Sequence, residues 1–118
     1  MPAKDWRLRI EDILGAILKI QDYTAGMDQR GFVADSKTFD AVLRNLTIIG
    51  EAIRHVPDAV TIRFADVPWD RMRAMRNFLV HEYPSVDTAI VWHTIREDLP
   101  PPVPMLQRVL AATDDLQA

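Results

Sequence analysis

A chain of 118 residues can bury one hydrophobic core but not two. With 48% hydrophobic and 26% charged residues it has the balance of a folded globular protein, and without cysteine it cannot use disulfides, thiolate catalysis or cysteine-ligated zinc and iron–sulfur centres. A formal net charge of -3 and a pI near 5.5 argue against coating nucleic acid by bulk electrostatics, so any such contact has to be local.

The N-terminus, MPAKDWRLRIEDIL, mixes charges with apolar residues and does not read as a signal peptide, and no stretch has the length of a membrane span. The expected setting is the cytoplasm, away from membranes. Trp6, Ile10, Ile13, Leu14, Ile17 and Ile20 recur at helical spacing and predict a first helix, capped by Asp5 and running to about Tyr23. Gly26 and Gly31 then bracket a turn. A second helix opens near Asp35 or Ser36, aligns Phe39, Val42, Leu43, Leu46, Ile49, Ile53 and Val56 on one stripe, and stops at Pro57.

A short helical connector is expected from Asp58 to Phe64, after which Pro68 starts a helix that Pro84 ends. Asp87 can cap another helix through Trp92, Ile95 and Leu99. The PPPVP run at 100–104 breaks the chain before a last helix with Val103, Leu106, Val109 and Leu110. Nothing alternates with period two. The expected fold is therefore all-α: an antiparallel up-and-down bundle of four main helices plus short ones, forming a single domain over 1–118.

On an ideal helix from Trp69 to Tyr83, Met72, Met75 and Leu79 face one side while Arg73, Asn77 and His81 face nearly the other. Arg76 lies beside that polar ridge, about 140° round from His81. The ridge reads either as a solvated helix face or as a site for phosphodiester chemistry. Arginine can hold a phosphate through two hydrogen bonds, and histidine moves protons near neutral pH. RNA carries its own nucleophile, the 2'-hydroxyl, so no metal or other cofactor is required. One chain offers one histidine here, whereas a two-fold homodimer would bring two histidines and two arginine clusters to one cleft.

RNFLVHEY, from Arg76 to Tyr83, resembles the R-x-x-x-x-H-x-Y signature of HepT-like toxins of the HEPN superfamily, and Asn77 directly after the arginine also fits. RNLTIIGEA, from Arg44 to Ala52, is similar to a second landmark of that family, and the likeness covers nearly the whole chain. The resemblance implies a metal-independent endoribonuclease in a toxin–antitoxin system, with Arg76 and His81 as the catalytic pair, Asn77 assisting, and the site formed across a homodimer. It also implies an MntA-type nucleotidyltransferase antitoxin that silences the toxin by AMP transfer to Tyr83. Because the superfamily includes binding modules, the alternative is a non-catalytic helical interaction subunit that binds a nucleotidyltransferase.

Other residues divide similarly. Arg71 and Arg73 are candidates for holding the RNA backbone. Gly50 stands mid-helix, where glycine costs about 1 kcal/mol relative to alanine, so close helix packing is expected there. Glu51 either hydrogen-bonds the motif helix or is an exposed carboxylate. His55, His93, Trp6, Trp69 and Trp92 read as structural, and no glycine pattern forms a phosphate loop.

Overall fold

The computed structural model describes residues 5–77 and 87–112. His81, Tyr83 and the helix end expected at Pro84 lie outside the described residues. Helix α1 spans Asp5–Thr24 and buries Ile10, Ile13, Ile17 and Ile20 completely, the stripe its spacing predicts. Gly26, with φ +77°, makes the turn after it. Gly31, expected in that turn, instead lies inside a short helix α2, Gln29–Ala34. Asp28 caps α2 by accepting the Gly31 N–H at 2.8 Å, and buried Phe32 anchors it. Six residues are too few for a readable period, and here burial of one aromatic outweighs the turn signal of Gly31.

Helix α3 spans Ser36–Ile53 and buries Val42, Leu46, Ile49 and Ile53. Asp35 is its N-cap: the carboxylate accepts the Thr38 backbone N–H at 3.1 Å and the Thr38 hydroxyl at 2.8 Å. These bonds, the backbone one foremost, hold the Asp35 carboxyl below its usual range. A depressed folded-state pKa contributes stability that is present above the unfolded value and lost as pH falls through the folded one. Asp35→Asn, which keeps an accepting oxygen, should therefore flatten the acid dependence of melting below about pH 4, as followed by circular dichroism.

Helix α4 is the expected connector, Asp58–Arg63. Helix α5, Trp69–Arg73, passes directly into a 3-10 turn at Ala74–Arg76. Helix α6, Thr88–His93, is capped by Asp87 as predicted and continues as a π-helical turn over Thr94–Asp98. Helix α7 spans Pro102–Ala111, with Pro102 and Pro104 in its first turn, where missing N–H groups cost no intrahelical bond.

Helix α3 organises the bundle: α1 packs along it, and so does α5 with its 3-10 turn, while α7 lies against α1 and α2 links α3 to α6. Trp6 and Trp69 are buried, and the Trp69 indole N–H donates to the Phe64 carbonyl at 3.0 Å, tying α5 to the end of α4. Trp92 is half-buried, with its ring 5.3 Å from that of Phe32 and the Arg96 guanidinium 5.6 Å from its centroid. The fold is all-α, with no strand among the described residues. No helix among them is long and apolar enough to cross a membrane.

Candidate active site

As far as Asn77 the predicted faces are present: Met72 and Met75 are buried and Arg73 and Asn77 are exposed, while Leu79 and His81 lie outside the described residues. The backbone is not one continuous α-helix. From Ala74 it tightens to 3-10 geometry, where each residue turns by about 120°. Arg76 stands beside exposed Arg73 and Asn77, with which it lines an open cleft, and its side chain is half-buried where this turn packs on α3; its angle to His81 lies outside the described residues.

Gly50 explains this placement. A Cβ built on it would come 2.8 Å from both the Cβ and the backbone N of Arg76, and 3.2 Å from the Arg73 carbonyl oxygen. The α3 backbone and the 3-10 turn thus meet at a point where only glycine fits, which gives the expected close packing a definite partner.

The next residue, Glu51, reaches the same turn. Its Oε1 lies 2.8 Å from Arg76 Nε, and its Oε2 accepts from Arg54 Nη1 at 3.3 Å. Arg76 Nε is itself buried and lacks the alignment of a hydrogen bond, so its contact with Glu51 is an ion pair. Glu51 thus reaches the motif segment through an ion pair rather than the expected hydrogen bond, and its side chain is 44% exposed. At that exposure the pair adds little stability, and its main effect is to orient the guanidinium.

Arg54, Arg73, Arg76 and Asn77 line an open cleft of about 470 Å³, together with Asp70 and Ala74. Arg73 is paired with Asp70. Arg71 is not in this cleft. It pairs with Asp98 at 3.3 Å and lines a neighbouring hollow of about 660 Å³ bounded by Ile62, Val67, Pro68 and Trp69. His55 and His93 are exposed and line neither cleft. Arg54 lines the cleft although the sequence does not single it out. Its only signal is the i, i+3 spacing from Glu51, a common surface pattern until Glu51 is seen to face the motif.

The molecule is thus a helical bundle with an arginine-lined cleft, built where a glycine lets α3 and the 3-10 turn touch. The family described as "Ribonuclease HepT-like" matches residues 13–110, and the chain belongs to that family. It is 40% identical over 91 residues to a "Probable ribonuclease HepT" of Thermococcus cleftensis, covering 77% of this chain and 83% of that protein. It is 33% identical over 110 residues to "Putative RNase MJ0127" of Methanocaldococcus jannaschii, covering 93% and 91% of the two chains. No solved structure matches.

Proposed function

We propose that this chain is the toxin of a toxin–antitoxin pair and acts as a metal-independent endoribonuclease. The observation that carries the proposal is the seating of Arg76: α3 touches its backbone at Gly50 and holds its guanidinium through Glu51, at the edge of a cleft shared with Arg73 and Asn77. An arginine fixed in this way is pre-organised for the charge that builds on a phosphate during attack.

His81, five residues on, acts as general base. It takes the proton of a ribose 2'-hydroxyl, the 2'-oxygen attacks phosphorus, and the bond from phosphorus to the 5'-oxygen breaks. Arg76 stabilises the crowded phosphorane, and Asn77 assists by hydrogen bonding. The departing 5'-oxygen needs a proton, which the His81 of a second copy supplies across a two-fold homodimer. Arg73 holds the RNA backbone, and Arg71 stands at the flank of the same surface. The products are a 2',3'-cyclic phosphate and a 5'-hydroxyl.

The test is incubation of purified protein with RNA in excess EDTA. Cleavage is expected there, with cyclic-phosphate ends, whereas RNA bearing 2'-O-methyl groups throughout should stay intact. Cutting that requires added metal, or that proceeds on 2'-O-methyl RNA, would overturn the mechanism. No cutting at all, with stable binding to a nucleotidyltransferase, would leave the interaction-subunit alternative in its place.

Control falls to an MntA-type nucleotidyltransferase antitoxin. The Tyr83 hydroxyl attacks the α-phosphorus of ATP, pyrophosphate leaves and AMP remains on the phenolic oxygen, adding negative charge and bulk two residues from His81 in a protein that must admit RNA phosphate. Intact mass should rise by one AMP per chain with the partner and ATP, and Tyr83→Phe should not change. An equal rise in Tyr83→Phe would remove that assignment.

A further inference from the structure

Arg54 has no place in the cleavage reaction, yet it shares the Glu51 carboxylate with Arg76 and lines the same cleft. The two guanidiniums stand on opposite oxygens of one carboxylate, Arg54 Nη1 at 3.3 Å from Oε2 and Arg76 Nε at 2.8 Å from Oε1. One carboxylate therefore bridges them. Resting on the nuclease reading, we infer that Arg54 is an RNA-binding residue, forming with Arg73 a subsite for the phosphate next to the scissile one.

The charge balance favours this. Among the described residues, three arginines line the cleft against the lining carboxylate of Asp70 and the Glu51 carboxylate that Arg54 and Arg76 share, leaving one positive charge uncompensated there in a chain whose formal net charge is -3. A guanidinium has five N–H donors in a planar fork, and the Glu51 contact engages only Nη1 of Arg54. With its side chain 55% exposed, Arg54 can present its remaining donors to a phosphate without leaving Glu51. Arg73 is 47% exposed, and its partner Asp70 is almost fully solvated, so that ion pair opens at little cost when a phosphate competes for the guanidinium. Glu51 then has two duties: it fixes Arg76 and holds Arg54 at a set distance from it, so the spacing between the subsites is set by one side chain.

The test is binding of a fully 2'-O-methyl RNA oligonucleotide to the full-length protein, measured by fluorescence anisotropy over a range of salt concentrations. The variants are Arg54→Ala, Arg54→Lys and, as a control for loss of one surface charge, Arg30→Ala on α2. Arg54→Ala should weaken binding about tenfold and lower the slope of log affinity against log salt by about 0.7, the loss of one phosphate contact on a single strand. Arg54→Lys should keep most of the slope and recover part of the affinity, and KM for cleavable RNA should rise with Arg54→Ala. An Arg54→Ala protein with the affinity and slope of Arg30→Ala would overturn the subsite while cleavage by the unsubstituted protein left the nuclease reading standing. If the unsubstituted protein binds RNA without cutting it, the nuclease reading fails, and the slope still decides the role of Arg54. Absence of RNA binding by the unsubstituted protein overturns both.

Discussion

Arg76→Ala should lower RNA cleavage by about 10²–10³-fold, the usual loss when one pre-organised donor is taken from a developing charge. The fold should survive. Alanine keeps the Cβ that meets Gly50, the Glu51 carboxylate retains Arg54, and an ion pair this exposed contributes about 1 kcal/mol or less. Arg76→Lys should recover little, because a lysine ammonium is a point charge and cannot both rest on Glu51 and present a planar fork to phosphate. His81→Ala should cost a similar factor, about 10²–10⁴-fold for loss of a general base. The double variant should be scarcely worse than the poorer single one, since both groups serve one transition state. Rates from single-turnover cleavage of a labelled oligonucleotide decide the matter. Wild-type rates in Arg76→Ala would remove this arginine from the reaction, and fully multiplied losses in the double variant would mean that the two residues act in separate steps.

The bundle is legible because its long helices obey one rule: the apolar stripes of α1 and α3 recur at a spacing that leaves little choice of fold. Caps are legible in part: Asp35 and Asp87 stand directly before the helices they cap, whereas Asp5, expected as a cap, lies within α1, and the Asp28 cap belongs to a helix too short to announce itself. Short elements are not. Helix α2 has a single buried aromatic, and the change from α to 3-10 at Ala74, where the chain packs on α3, spans three residues and has no period of its own to read. The site shows the same division. Arg76 and Asn77 can be picked out by motif, and Gly50 announces itself as a glycine out of place. The residue that Gly50 serves is 26 positions away in the chain, and no periodicity within one helix names it. Arg54 is hidden for the same reason, its meaning coming from Glu51, whose own partner lies on another element.

That long-range contact makes two chemically identical substitutions diverge. Gly15→Ala, in the interior of α1, adds a Cβ with nothing within 4 Å and should stabilise the protein by about 0.4–1 kcal/mol through helix propensity and reduced unfolded-state freedom. Gly50→Ala gains the same propensity term, about 1 kcal/mol, and must set it against overpacking of about 1–3 kcal/mol. Overpacking wins, because the atoms met at 2.8 Å are the backbone N and Cβ of Arg76, which cannot swing aside as a side-chain tip could. The melting temperature should therefore rise by a few degrees for Gly15→Ala and fall by several for Gly50→Ala, at roughly 4 °C per kcal/mol for a chain of this size. Activity should separate them further. To make room, the 3-10 turn has to shift by some tenths of an ångström, carrying Arg76 off Glu51, and misplacement costs on the order of 10²-fold per ångström, so cleavage should drop about tenfold at temperatures where Gly50→Ala is still folded. Melting curves and cleavage rates measured on the same preparations test this. A Gly50→Ala protein that melts higher and cuts RNA normally would show that α3 does not set the position of the motif arginine.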